Sequence, residues 1–75
     1  MKLEDFIKKF AAEFDDTHES DFVANTEFKE LDEWGSLTAL AIISMIDDEM
    51  DVQITGSDLR TAKTIEDLYN IVSLK

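Results

Sequence analysis

Apolar residues recur in steps of three and four in several parts of the chain, which is the spacing of one face of an α-helix. The first stripe, within residues 3–14, consists of Leu3, Phe6, Ile7, Phe10 and Phe14. The last stripe consists of Ile65, Leu68, Tyr69 and Val72. Another helix is predicted between them at residues 36–50, where Gly35 and Ser36 form a start signal, because serine is a favoured N-cap. The pattern therefore predicts three main helices.

The segments between these helices also carry apolar residues. Phe22, Phe28 and Leu31 lie in a long aperiodic stretch between the first two helices, and they predict a loop held against the core. Residues 51–55 alternate briefly between polar and apolar, but an isolated strand would have no pairing partner. We expect an extended loop there, with Val52 and Ile54 turned inward.

Two further start signals complete the predicted fold. Ser57, Asp58 and Leu59 can begin a short helix of about one turn. Thr64, followed three residues later by Asp67, is a variant of the capping box that opens many helices. The sequence therefore predicts an all-α fold, a small bundle of three main helices and one short helix, in a single domain spanning residues 1–75.

The helix predicted at residues 36–50 has apolar residues on two sides. One side forms a complete core stripe: Ala39, Ile42, Ile43, Ile46 and Met50. The other side carries a second apolar patch and then acids: Leu37, Leu40, Ala41, Met45, Asp47, Asp48 and Asp51. Since one apolar face is enough for a surface helix, either another part of the chain covers this patch or it binds a partner. In the second case the apolar side chains would contact the partner and the aspartates would orient its basic groups.

Composition narrows the class of protein. The 75 residues include 18 acids and 7 basic residues, a formal net charge of −11, with no cysteine and a single histidine. No apolar run is long enough for a membrane span, and acids near the start argue against a secretory signal, so a cytoplasmic location is expected. The charge disfavours nucleic acid and anionic lipid as partners and favours basic protein surfaces. Without cysteine, neither disulfides nor a thiolate zinc site can form.

The acids are concentrated in the middle of the chain. Residues 30–59 contain no lysine or arginine and eight acids: Glu30, Asp32, Glu33, Asp47, Asp48, Glu49, Asp51 and Asp58. Such a cluster is either a solvated face or a docking surface for basic partners, and the charge alone does not distinguish the two.

Few residues are suited to catalysis. Ser36 and His18 could form a nucleophile and base only on paper, since no spacing supports the pairing. Asp47, Glu49 and Asp51 have the spacing of the first ligands of a calcium loop, but glycine is missing at its sixth position, so no metal site is predicted. At the start of a helix, a phosphate ester on Ser36 would gain from free N–H groups, whereas the simpler interpretation is that Ser36 caps the helix.

Trp34-Gly35-Ser36-Leu37, placed in this order of helices, resembles the Trp-Asp-Ser-Leu motif of the acyl carrier protein family, with Gly35 in place of aspartate. The helix after the motif resembles the family's recognition helix without a gap, and its acidic end and the final helix also match. The resemblance covers nearly the whole chain. Gly35, Thr38 and Ala41 depart from it, since they stand where family members often carry acids.

The resemblance implies a carrier rather than an enzyme. A phosphopantetheinyl transferase would attach 4′-phosphopantetheine from coenzyme A to Ser36, making a phosphoprotein whose arm holds acyl groups as thioesters. The implied partners are acyl-loading and acyl-using enzymes with basic docking patches, in fatty acid, polyketide or related biosynthesis. They would contact the second patch described above, Leu37, Leu40, Ala41, Met45, Asp47, Asp48 and Asp51. A monomer is expected. The alternative is an unmodified interaction module that binds a basic protein through the same strip.

Overall fold

The computed structural model describes all 75 residues as a small all-helical bundle. Its four α-helices are α1 (Leu3–Ala11), α2 (Ser36–Met50), α3 (Gly56–Thr61) and α4 (Ile65–Ser73). Two short 3-10 turns, Glu19–Asp21 and Phe28–Glu30, lie in the connection between α1 and α2. The predicted fold class of three main helices and one short helix is confirmed. None of the helices has the length and apolarity that a membrane crossing requires.

The core is apolar throughout and contains no buried polar or charged residue. Phenylalanine rings from α1 and from the long connection meet in its centre, where the rings of Phe10 and Phe28 are 5.3 Å apart. Phe22 and Phe28 are 5% and 0% exposed, so the prediction that the long connection is held against the core is confirmed. The two 3-10 turns carry no periodic signal in so few residues, and sequence reasoning missed them.

Helix α1 is shorter than predicted, yet the last residue of its apolar stripe, Phe14, is buried. The α-helix stops at Ala11, and the amides of Glu13 and Phe14 bond to the carbonyls of Phe10 and Ala11 at 3.2 and 3.0 Å. These three-residue steps form a tighter turn than an α-helix. The turn brings Phe14 into the core at 7% exposure, so the spacing of the stripe overstated the length of the helix rather than its burial.

The second half of the molecule is organised by two capping boxes. Thr55 and Asp58 cap α3, and Thr64 and Asp67 cap α4, each pair exchanging side-chain and backbone hydrogen bonds. The predicted capping box before the last helix is therefore confirmed. Residues 51–55 between α2 and α3 form neither helix nor strand, and Ile54 is buried and Val52 packs against the core, which confirms the predicted loop with both residues turned inward.

Candidate functional site

Ser36 is the first residue of α2, and it is exposed to solvent. The prediction that Ser36 is the N-cap is wrong, because Gly35 occupies that position in an extended conformation (φ −176°, ψ −171°). The Gly35 carbonyl accepts the first helical hydrogen bond, from the amide of Ala39 at 2.9 Å. The Ser36 hydroxyl takes part in no intramolecular hydrogen bond, so the interpretation that Ser36 merely caps its helix does not hold.

The start of α2 is open to an anion. Gly35 provides no side-chain cap, the first turn contains no acid, and the amides of Ser36, Leu37 and Thr38 have no partner within the protein. By contrast, α3 and α4 each begin with a threonine cap and an acid in the first turn. Free amides and the helix dipole together favour negative charge at such an end.

Glu33 holds the chain just before this opening. Its carboxylate accepts hydrogen bonds from the Thr17 hydroxyl at 2.5 Å and from the amides of Asp15 and Asp16 at 3.1 and 2.9 Å. The bond from the Thr17 hydroxyl, followed by those from the two amides, lowers the pKa of Glu33. The Glu33 carbonyl accepts a further bond from the Thr38 hydroxyl at 2.6 Å. These contacts join the loop after α1 to the first turn of α2.

Trp34 anchors the same segment on its other side. Its half-buried ring packs edge-on against Phe28, with 4.9 Å between ring centroids. Gly35 follows, and a Cβ atom built there would meet nothing within 4 Å. Three consecutive residues of the motif therefore differ in their surroundings: the Trp34 ring is packed, the Gly35 backbone is unobstructed, and the Ser36 hydroxyl is exposed.

Sequence comparison identifies the family to which this arrangement belongs. Residues 5–72 match the protein family described as phosphopantetheine attachment site. The chain belongs to this family. Its members are carrier proteins that bear a 4′-phosphopantetheine group and are not themselves enzymes, which confirms the predicted family, cofactor and non-catalytic role. Searches of curated proteins and of solved structures found no match.

The residues at the start of α2 fit the group that this carrier family bears. A phosphate needs an accessible oxygen to join and donors nearby, and Ser36 offers a free hydroxyl beside three unpaired amides. Ser36 is exposed, and a Cβ atom at the preceding Gly35 would meet nothing within 4 Å. No group of three or more acids or histidines in the chain is placed to hold a metal ion.

The exposed face of α2 continues from Ser36 towards the end of the helix. Leu37 and Leu40 are 84% and 63% exposed, so no other part of the carrier domain covers this part of the patch. The exposed positions on the face are Ser36, Leu37, Leu40, Ser44, Asp47, Asp48 and Asp51. We call these seven residues the α2 strip. Ser44 lies at its centre and was missed by sequence reasoning, which considered only apolar and acidic residues.

The placement of Met45 on the exposed patch is wrong. Met45 is 7% exposed and belongs to the core with Ile42 and Ile46, because three residues along an α-helix turn it by about 300° and leave Met45 only about 60° from Ile42. Ala41 lies at the border and is partly buried. Ala39, Ile43 and Met50, predicted in the core, are partly buried against it.

Two of the eight acids between residues 30 and 59 are neutralised by distant lysines. Lys9 lies 3.3 Å from Glu49, and Lys75 lies 3.1 Å from Asp58, so the ends of the chain supply the positive charge that the central stretch lacks. Glu33 is held by the hydrogen bonds described above. The carboxylates that remain without a hydrogen bond or ion pair are those of Glu30, Asp32, Asp47, Asp48 and Asp51. Three of these five belong to the α2 strip.

Proposed function

We propose that this chain is an acyl carrier protein in which Ser36 bears the 4′-phosphopantetheine group and residues 1–75 act as one carrier domain. The observation that carries the proposal is the Ser36 hydroxyl, exposed and without a hydrogen bond, at the uncapped start of α2. It supports the proposal because the family match establishes the cofactor, and this serine stands where the resemblance places the attachment point.

Attachment is a phosphoryl transfer to the Ser36 oxygen. A phosphopantetheinyl transferase binds coenzyme A and Mg²⁺, and the Ser36 oxygen forms a bond to the phosphorus that carries pantetheine. The pyrophosphate P–O bond of coenzyme A breaks, adenosine 3′,5′-bisphosphate leaves, and the hydroxyl proton passes to a base on the transferase. The resulting phosphodiester would carry one negative charge, which the free amides of Leu37 and Thr38 and the dipole of α2 would favour. The bound group supplies a thiol on which acyl cargo is held as a thioester.

The α2 strip provides the docking surface for partner enzymes in this proposal. Leu37 and Leu40 offer apolar contact next to Ser36, with Ala41 at the border, and Asp47, Asp48 and Asp51 orient basic groups further along. The partners are the transferase and the acyl-loading and acyl-using enzymes of fatty acid, polyketide or related biosynthesis. The carrier would act as a cytoplasmic monomer.

The test is a modification assay read by intact mass. The protein is incubated with coenzyme A, Mg²⁺ and a phosphopantetheinyl transferase of broad specificity. Wild type is expected to gain one phosphopantetheine and Ser36→Ala none. Ser44→Ala is the matched control, because Ser44 is an exposed serine on the same face, and this variant should be modified like wild type. If wild type gains no mass with several transferases, the proposal is wrong and the unmodified interaction module becomes the better account.

A further inference from the structure

All the side-chain hydrogen bonds of the segment that presents Ser36 are made to one residue, Glu33. Glu33 accepts three bonds at its carboxylate and one at its carbonyl, and these connect it to residues 15–17 and to Thr38. No other side-chain hydrogen bond is made to or from residues 32–38. Glu33 therefore connects the segment before Ser36 both to the loop after α1 and to the first turn of α2.

Gly35 adds no side-chain restraint of its own to this segment. Glycine is the most flexible residue in a chain, and here it occupies the N-cap without contributing a cap. A Cβ atom at this position would touch nothing, so packing does not restrict the backbone there either. The conformation of Gly35 and Ser36 is then set by what lies on each side, Trp34 against Phe28 and Thr38 against the Glu33 carbonyl.

We propose that Glu33 is a positioning residue for the attachment of phosphopantetheine, holding the Gly35–Ser36 segment in the conformation that the transferase accepts. The proposal rests on the proposed function of Ser36. Glu33 touches neither Ser36 nor the reacting atoms; it acts through the loop at residues 15–17 and through Thr38. Glu33 lies outside the Trp34–Leu37 motif. It supplies a restraint that a side chain at position 35, inside the motif, could otherwise have supplied.

The expected signature is kinetic. If the bonds to Glu33 are lost, a smaller fraction of molecules presents Ser36 correctly, and the apparent KM for the carrier rises by the inverse of that fraction. Saturating carrier overcomes this loss, so kcat stays unchanged. We expect Glu33→Gln and Thr38→Val each to raise KM about five- to tenfold, with kcat within about twofold of wild type. Thr17→Val, which changes no charge, should raise KM in the same direction.

Three control variants separate positioning from other effects. Glu30→Gln removes the same charge from an exposed acid that makes no hydrogen bond, and it should leave KM within about twofold of wild type. Thr64→Ala removes the cap of α4 and tests general destabilisation; it should also leave KM near wild type. Thr38→Ser keeps the hydroxyl and should restore wild-type KM. Equal effects of Glu30→Gln and Glu33→Gln would assign the result to charge, and equal effects of Thr64→Ala would assign it to stability; either overturns the proposal.

A measurement without the transferase keeps this inference distinct from the proposed function. Backbone ¹⁵N relaxation of the unmodified protein should show greater picosecond–nanosecond mobility at Gly35 and Ser36 in Glu33→Gln than in Glu30→Gln. If wild type is modified and the Glu33 variant has wild-type KM and relaxation, positioning by Glu33 fails while the carrier function stands. If wild type is never modified, the function fails, whatever the relaxation shows.

Discussion

Gly35 and Ser36 divide between them the tasks that begin a helix. The glycine takes the extended N-cap conformation and its carbonyl accepts the first helical bond, which leaves the serine hydroxyl with no structural role. A start signal read from sequence assigns both tasks to the residue with the better capping side chain, and here that residue is one position too late. As the N-cap, the Ser36 hydroxyl would have been hydrogen-bonded to the helix backbone. Because the N-cap is Gly35 instead, that hydroxyl is free for modification.

An aspartate at position 35 should make the protein more stable. It would cap α2, place a negative charge at the positive end of the helix and restrict the unfolded chain, and nothing within 4 Å obstructs its Cβ. We expect Gly35→Asp to raise the free energy of unfolding by about 0.5–1.5 kcal/mol in urea titrations. Gly35→Ala is the control, since it restricts the unfolded chain without capping. An alanine variant as stable as the aspartate variant would contradict the role assigned to the cap.

Asp51 ends α2 in a conformation that favours glycine. Its φ of 54° and ψ of 40° make it the one residue of the chain with positive φ, and its amide bonds to the Asp47 carbonyl at 3.0 Å. We expect Asp51→Gly to stabilise the fold by about 0.5–1 kcal/mol and Asp51→Ala to destabilise it by a similar amount, measured by thermal unfolding. Asp51→Asn removes the charge while tolerating the conformation and should stay near wild type. If the glycine and alanine variants unfold at the same temperature, left-handed strain is not the cause.

Sequence alone singled out Ser36 as the candidate attachment residue, because the motif and its place before a helix are visible in the linear order of residues. It could not identify Glu33, whose partners lie 16 to 18 residues earlier. Thr38 looked like a departure from the family pattern, but its hydroxyl bonds back to the Glu33 carbonyl. Contacts across a loop leave no periodic signal, so the residues that make them were missed.

At the scale of elements, α2 shows how a helix with apolar residues nearly all round is oriented. Met45 and Leu40 were both placed on the second patch, yet Met45 is 7% exposed and Leu40 is 63% exposed. We expect Met45→Ala to cost about 2–4 kcal/mol in the free energy of unfolding and Leu40→Ala less than about 0.5 kcal/mol. Urea denaturation of the two variants measures both values. Similar losses at the two sites would mean that α2 is rotated relative to the arrangement described.

The Leu40→Ala variant also distinguishes an effect on docking from an effect on folding. Leu40→Ala should weaken the interaction with a partner enzyme while leaving the protein as stable as wild type, because Leu40 is accessible and contributes little to the core. Its effect should appear as a higher KM for the carrier in the attachment assay. A Leu40→Ala variant with wild-type KM towards every partner tested would remove the apolar part of the α2 strip from the docking surface.

The elements differed in how well sequence predicted them. Helix α4 begins where predicted because its start signal is local, and the capping residues Thr64 and Asp67 sit next to the helix that they open. Helix α2 also begins at the predicted residue 36, although its N-cap is Gly35 rather than Ser36. The extent of α1 was overstated, because Phe14 continues the apolar stripe through a tighter turn. For α2 the sequence predicted the buried side of Ile42 and Ile46 correctly but misplaced Met45, since its apolar residues leave no single polar face to define the outside.

At the scale of the whole molecule, the net negative charge lowers the stability of the fold. Lysines at the two ends of the chain neutralise Glu49 and Asp58, but exposed ion pairs of this kind stabilise a protein little. The chain as a whole carries a net charge of −11, and this excess of negative charge is self-repulsive. Acidification towards the isoelectric point near 4.1 removes this repulsion. On that ground alone, stability would rise as the pH falls from 7.

Three carboxylates act in the opposite direction at low pH. Hydrogen bonds from the backbone of Thr55 and Thr64 lower the pKa values of Asp58 and Asp67, and the bond from Thr17 lowers that of Glu33. A group whose pKa is lower in the folded protein stabilises it above the unfolded value, and this contribution disappears as the pH falls through the folded value. The ordinary values are 4.5 for glutamate and 3.8 for aspartate, so the loss begins near these values and continues below them.

The two effects together predict a stability maximum on the acidic side of neutrality. Urea midpoints at constant ionic strength should rise from pH 7 to about 5 and fall below about 4. A triple variant, Glu33→Gln with Asp58→Asn and Asp67→Asn, should be less stable than wild type at neutral pH, and the difference should shrink as the pH falls below 4. The matched control is the triple variant Glu30→Gln with Asp32→Asn and Asp47→Asn, which changes three exposed acids that make no hydrogen bond. It should instead be more stable than wild type at neutral pH, because it removes repulsion alone. Parallel curves for wild type and the first triple down to pH 3 would show that these three carboxylates do not govern the acid limb.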